Sequence, residues 1–251
     1  MMVQITIIRI EDYGPWTLTL GSDREHELQI LQSRLYGDLQ MLFSKKNALV
    51  FFNRFDEMFA VTNGMSMEEH AEILKRLSNA IELDISMSIG RGKTPYEAHL
   101  EADRVRSENT PKKQFRVYGI DTNNTDDFVQ IMHVDVDSST SKVSSKLTPY
   151  EFSALITKLY AKLSKYFMDK GALTFYLGGD NFMVISNGVS KDETYHLLES
   201  VSDGTDLKLK CGIGVARSAR EAAKLATKAL DAIRDMRKSG KTERVFELSC
   251  I

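Results

Sequence analysis

The chain has 251 residues, 33 Lys and Arg against 35 Asp and Glu for a formal net charge of -2, and a 42% hydrophobic content. That balance excludes a disordered or collagen-like chain and gives no long-range pull toward nucleic acid or an anionic membrane. At roughly 150 residues per domain the length suits one large or two small domains. The two cysteines, Cys211 and Cys250, and the five histidines, His26, His70, His99, His133 and His196, form no CxxC, HxxxH or HExxH spacing, which removes disulfide scaffolds and the common zinc hydrolases.

The first apolar segment, Val3 to Ile10, is broken by Gln4 and Arg9 and is too short for a secretory or membrane-spanning segment of about 20 apolar residues. A cytoplasmic protein opening on a strand is expected. The segment from Asn47 resembles that from Gly171, and over residues 47–98 against 171–222, an offset of 124, 15 of 52 positions are identical without a gap. Asp56/Asp180, Asn63-Gly64/Asn187-Gly188 and Ile89-Gly90/Ile213-Gly214 are among them. Upstream, VQITIIRI from Val3 matches VQIMHVDV from Val129. Two copies of one unit of about 120 residues account for nearly the whole chain, and Ser107 to Asp127, rich in Asn, Thr and Asp, reads as their link. The expected domains are residues 1–120 and 121–251.

In the second copy the periodicities switch in a fixed order. Val129 to Val136 alternates as a strand, with Ile131, His133 and Asp135 on one face. Pro149 suits the first turn of a helix whose Leu155, Leu159, Leu163 and Phe167 recur at helical spacing, and Gly171 ends it. Leu173 to Leu177 and Phe182 to Ser186 are short strands about a Gly178-Gly179-Asp180-Asn181 turn. Lys191 to Ser200 is a helix, Leu207 to Val215 a strand, Ser218 to Arg237 a long helix and Glu243 to Leu248 a last strand. The fold class is therefore α+β: two tandem βαββαβ units, ferredoxin-like, each with an appended αβ.

This plan sets the end of the first strand beside the turn between the second and third, so Asp135 and Asp180 converge on one sheet edge, with Asp137 following on the face of Asp135 as a third candidate metal ligand. Asp in a Gly-rich turn is commonly a turn former. Two carboxylates at a strand end are also hard oxygen donors suited to Mg²⁺, and two such ions activate a water and stabilise a leaving oxygen. Gly178 and Gly179 remove side chains where a phosphate would approach backbone, with Asn181 completing the turn. In the first copy Arg9 and Glu11 replace Asp135 and Asp137, and Arg54-Phe55-Asp56 replaces Gly178-Gly179-Asp180. An internal ion pair is expected there, and a degenerate site.

The remaining candidates carry two readings each. Ser138, Ser139, Thr140 and Lys142 form either an ordinary hydroxyl-rich loop or a set of phosphate contacts. His133 is a packing residue, or an acid, base or base reader. Trp16 is core, or stacks on a purine. A βαββαβ sheet with helices on one face leaves Ile5, Ile7 and Ile131 on the other, which predicts cover from the second copy or a second subunit, hence a dimer or tetramer.

Asp-Tyr-Gly-Pro-Trp-Thr (12 to 17), Leu-Gln-Ser-Arg-Leu-Tyr (31 to 36), Arg-Phe-Asp (54 to 56), Thr-Pro-Tyr-Glu-Ala (94 to 98), His-Val-Asp-Val-Asp (133 to 137) and Gly-Gly-Asp-Asn-Phe-Met (178 to 183) together resemble archaeal GTP cyclohydrolase III across essentially the entire chain. The resemblance implies two palm-like domains and attack on GTP that depends on two Mg²⁺ ions and a monovalent cation, K⁺ or NH₄⁺. It implies a formylaminopyrimidine ribosyl monophosphate and pyrophosphate as products, feeding riboflavin or deazaflavin synthesis. Asp135 and Asp180 carry over as metal ligands. A diguanylate or nucleotidyl cyclase is the nearest alternative, but the turn reads GGDNF rather than GG(D/E)EF, and the positions that would read guanine fall on Val143 and Phe152. A noncatalytic nucleotide sensor would be expected to lose a metal ligand from both copies, whereas the second retains both.

Overall fold

Two strands buried along nearly their whole length organise the chain: β1 (Val3–Ile10) and β6 (Val129–Val136). A computed structural model describes residues 2–109, 116–119, 127–137, 147–202 and 207–251. It divides into two compact units, one of Met2–Gly92 with Glu97–Asp127, the other of Phe128–Ile251 with Lys93–Tyr96. The expected boundary between residues 120 and 121 lies outside the described residues.

After β1 the first half continues with α1 (Tyr13–Thr19), α2 (Glu25–Ser44), β2 (Leu49–Arg54), β3 (Glu57–Val61), α3 (Met67–Ala80), β4 (Ile85–Gly92), α4 (Pro95–Asn109) and β5 (Val117–Tyr118). After β6 the second has α5 (Pro149–Met168), β7 (Leu173–Gly178), β8 (Asn181–Ile185), α6 (Lys191–Ser202), β9 (Leu209–Ala216), α7 (Ala219–Lys238) and β10 (Val245–Ser249). The sheets have equivalent orders, β2-β3-β1-β4-β5 and β7-β8-β6-β9-β10, antiparallel except for the parallel last pair in each. This is the duplicated ferredoxin-like, palm-type plan. No helix among the described residues is long and apolar enough to cross a membrane.

The repeated dipeptide Asn-Gly has a structural reason in both halves. Asn63 Oδ1 accepts from Gln4 N at 2.9 Å and Asn187 Oδ1 from Gln130 N at 3.1 Å. The glutamine amides donate onward, Gln4 to Thr62 O and Met65 O, Gln130 to Ser186 O and Val189 O. These bonds pin the start of each first strand to the turn after the third, fixing the register that sets where the far end of the strand lies.

In the second unit Met132, Val134 and Val136 face a core closed by α5 and α6, with Leu159, Leu163 and Phe167 on the facing helix stripe. Thr148 caps α5 through a reciprocal box with Glu151, with Pro149 in the first turn, as the sequence signals. The expectation of helices on one face only is corrected. α7 lies across the other face, so close that a Cβ on Gly212 would stand 2.0 Å from Ala226 O and one on Gly214 2.0 Å from Ala222 O. In the first unit α4 does the same over Gly90, against Ala98 O and Ala102 N at 2.2 Å each, and its His99 ring packs tilted against Phe59, centroids 4.9 Å apart. Glycine on the strand and alanine on the helix let the two backbones meet. Ile5, Ile7 and Ile131 are buried, and with a helix on this face in each unit the argument that a second subunit must cover it no longer holds.

Candidate active site at the edge of the second sheet

Asp135 is the penultimate residue of β6, and antiparallel pairing sets it directly opposite Asn181, the first residue of β8. Gly178-Gly179-Asp180 closes the hairpin immediately before it, with a register shift between Tyr176 and Gly178. Gly178 has φ 110 and Gly179 φ 59, backbone that only glycine adopts freely. Neither glycine has an atom nearer than 4.0 Å to an added Cβ, so the turn is open on its outer side. The Tyr176 hydroxyl donates to Gly179 O at 3.1 Å and braces it.

The two carboxyls meet at this edge. Burial, then the negative charge of Asp135, push the Asp180 carboxyl above its ordinary range; a hydrogen bond that the protonated Asp180 donates to Asp135 acts in the same direction, while Asp180's own backbone and Lys210 oppose it. Asp135 itself is 4% exposed. It receives Lys210 Nζ at 3.0 Å and Arg234 Nη2 at 3.0 Å. Lys210 is 3% exposed and is the register partner of Asp135 across β6 and β9. Burial works against the Arg234 charge, but the Asp135 and Asp231 carboxylates outweigh it and hold the guanidinium above its usual range. Asp137 is taken by Arg237 in a two-pronged pair, one contact being Nη2 to Oδ2 at 2.5 Å.

His133 uses both ring nitrogens, Nδ1 with Thr227 Oγ1 at 3.1 Å and Nε2 with Asn181 Oδ1 at 3.0 Å. Asn181 Nδ2 in turn donates to Asp180 Oδ1 at 3.0 Å. Asp135, Asp180, Gly178, Gly179, Asn181 and His133 thus converge. Ser138, Ser139, Thr140 and Lys142 lie outside the described residues. Trp16 belongs to the first unit, where it packs half-buried against the core with its ring centroid 6.0 Å from that of Tyr13.

The donor set can be weighed against the expected Mg²⁺. Among the described residues no group of three or more His, Cys, Asp and Glu is arranged to hold an ion, and Asp137 would have to release Arg237 to contribute. Asp135 and Asp180 remain: adjacent oxygen donors, one with its charged form disfavoured by the other, beside an open glycine turn. A divalent cation relieves that repulsion, and Mg²⁺ in particular takes only one or two protein carboxylates and fills its octahedron with water and phosphate oxygens. The pair fits the ion.

Four residues escaped the sequence reading: Lys210, Arg234, Arg237 and Thr227. Lys210 carried a signal, a lysine inside the otherwise apolar Leu209-Lys210-Cys211. Thr227 and Arg234 are seven apart on one helix face, but their own spacing does not tell that this face lies on the sheet.

The first unit lacks this arrangement at the equivalent edge. Arg9 pairs with Glu57 at 3.6 Å, Arg54 holds both oxygens of Asp56 at 3.1 Å, and Glu11 accepts from Ser86 Oγ at 2.5 Å.

A family model described as GTP cyclohydrolase III matches residues 2–245. GTP cyclohydrolase III of Methanothermobacter thermautotrophicus is 39% identical, with 93% of this chain and 95% of that protein covered. The Methanocaldococcus jannaschii protein of the same name is 36% identical over 93% of this chain and 88% of its own. Among solved structures, a bacterial light-regulated adenylyl cyclase covers 94% of this chain and 83% of its own at 11% identity and a TM-score of 0.36, too loose a likeness to bear on activity. The chain belongs to the GTP cyclohydrolase III family.

Proposed function

We propose that this enzyme opens the imidazole ring of GTP by adding one water at C8 and breaking the C8–N9 bond, and uses a second water to cleave between the α and β phosphates, releasing pyrophosphate and leaving a formylaminopyrimidine ribosyl monophosphate. The reaction is assigned to the second unit, with Asp135 and Asp180 holding Mg²⁺. The observation that carries the reading is the meeting of these two carboxyls beside the Gly178-Gly179 turn in a chain of this family.

When bound, Mg²⁺ supplies the positive charge that lowers the pKa of a water and neutralises phosphate oxygens. The chain's own residues do the rest. Gly178 and Gly179 leave the turn open for a phosphate to approach backbone. Lys210 and Arg234 balance Asp135, a task that a bound cation would share. With Asp135 engaged by a cation, the Arg234 guanidinium, 48% exposed as a side chain and still held by Asp231, would be able to turn toward a phosphate, which arginine grips in a planar fork. Lys210, buried, stays beside Asp135 and keeps the site near neutrality. This exchange of partners accounts for cations built against metal-binding carboxylates.

Incubation with GTP and Mg²⁺, followed by ultraviolet absorbance, tests the reading. Loss of the purine band with retention of a formyl group supports it; a cyclic nucleotide, or unchanged GTP, refutes it.

A further inference from the structure

The chain of hydrogen bonds that ends on Asp180 begins on a different element. Thr227 of α7 bonds His133 Nδ1, His133 Nε2 bonds Asn181 Oδ1, and Asn181 Nδ2 bonds Asp180 Oδ1, at 3.1, 3.0 and 3.0 Å. Each atom's role is constrained by the next. A carboxylate accepts only, so the side of the Asn181 amide that faces Asp180 must be its NH₂. Its carbonyl oxygen therefore faces His133, and the imidazole must donate from Nε2. With Nε2 protonated, the neutral ring accepts at Nδ1, and the Thr227 hydroxyl is the donor there. If the His133 donor is lost, the amide is free to turn over and present oxygen to oxygen.

The geometry points to Thr227 and His133 as positioning residues that lock the Asn181 amide and thereby the Asp180 carboxylate in its metal-holding orientation. Neither touches substrate in this assignment, and Asn181 serves Asp180 rather than GTP. The inference rests on the metal-holding reading of Asp135 and Asp180. It gives α7 a task besides covering the sheet: its close approach over Gly212 and Gly214 brings the Thr227 hydroxyl to the imidazole. Groups that orient a metal ligand from behind commonly set affinity by about 10- to 100-fold.

The test is Mn²⁺ binding to the metal-free protein, followed by electron paramagnetic resonance without nucleotide, with folding checked by circular dichroism. His133→Leu is expected to weaken Mn²⁺ binding about tenfold or more. His133→Gln, whose amide N–H reaches the place of Nε2, is expected to restore most of it, and Thr227→Val to weaken it by a smaller factor. Wild-type affinity in His133→Leu, or an equal loss in folded His133→Gln and His133→Leu, would overturn the inference. If His133→Leu does not fold, Thr227→Val decides: wild-type affinity overturns the inference. Asp135→Asn separates the two readings. If it binds Mn²⁺ as the wild type does, the metal assignment fails, and ¹⁵N resonances of His133 still decide the lock: an Nε2–H tautomer supports it, an Nδ1–H tautomer refutes it.

Discussion

Arg9 and Asp135 occupy the same place in the two sheets. Each is the next-to-last residue of the first strand of its half; Arg9 registers against Glu57 and Ser86, and Asp135 against Asn181 and Lys210. The anion with a buried lysine opposite it in one half is a cation with a glutamate opposite it in the other. One architecture thus carries two arrangements of charge, and in the first the carboxylates of Asp56 and Glu57 are held by Arg54 and Arg9.

Asp180→Asn should make the metal-free protein more stable near neutral pH. A carboxyl whose folded pKa is raised adds stability that is fully present below its unfolded value, near 3.8, and is lost as pH rises through the folded value. Above that window the ionised group is a cost, and asparagine removes it. Thermal melts from pH 4 to 8 should show the variant gaining on the wild type as pH rises, by at most about 1 kcal/mol given the solvent exposure of the group. A variant less stable than the wild type at pH 7 would contradict the repulsion between Asp180 and Asp135.

Lys210→Met should destabilise the protein by roughly 3 kcal/mol, the low end for breaking a buried ion pair, since Arg234 still reaches Asp135. Chemical denaturation measures this. A second change, Asp135→Leu, should restore much of the loss, because no buried charge is then left alone. Strictly additive losses would mean that the two side chains are not coupled.

Much of this was legible in the sequence. The duplication, the order of elements and the meeting of Asp135 with Asp180 all follow from periodicity and from one topological rule. The second helical layer was not read, because strand periodicity reports which faces are apolar but not what covers them. The signal lay in the small residues: Gly212 and Gly214 on the strand, and Ala222, Ala226 and Ala229 on the helix. The cations went unread for the same reason. Arg234 and Arg237 resemble any solvated helix charges until α7 is placed on the sheet, and only then do they reach Asp135 and Asp137.

Gly214→Ala should therefore cost about 3 kcal/mol, in the range of overpacked cores. The clash is with backbone atoms of α7, which cannot rotate away. Denaturant midpoints check it; a loss below about 0.5 kcal/mol would show that α7 does not lie directly on β9.

Activity should not require thiol-bound zinc. Cys211 is buried in the core, where burial pushes its thiol well above the usual range and keeps it protonated, while Cys250 is exposed near the end of the chain. A folded Cys211→Ala, Cys250→Ala variant should turn over GTP with Mg²⁺ after treatment with a zinc chelator. Restoration of the stripped enzyme by stoichiometric Zn²⁺ but not by millimolar Mg²⁺ would contradict the oxygen-donor site.

The most direct measurement compares Asp135→Asn, Asp180→Asn and Asp56→Asn for formation of the formylaminopyrimidine monophosphate from GTP and Mg²⁺, each variant checked for folding. Turnover should fall by about a hundredfold or more in the first two, as for loss of the group that stabilises transition-state charge, and stay within about threefold of wild type in the third, whose carboxylate is already held by Arg54. Equal loss in all three, or full activity in Asp135→Asn or Asp180→Asn, would contradict the assignment of the reaction to the carboxyl pair of the second unit.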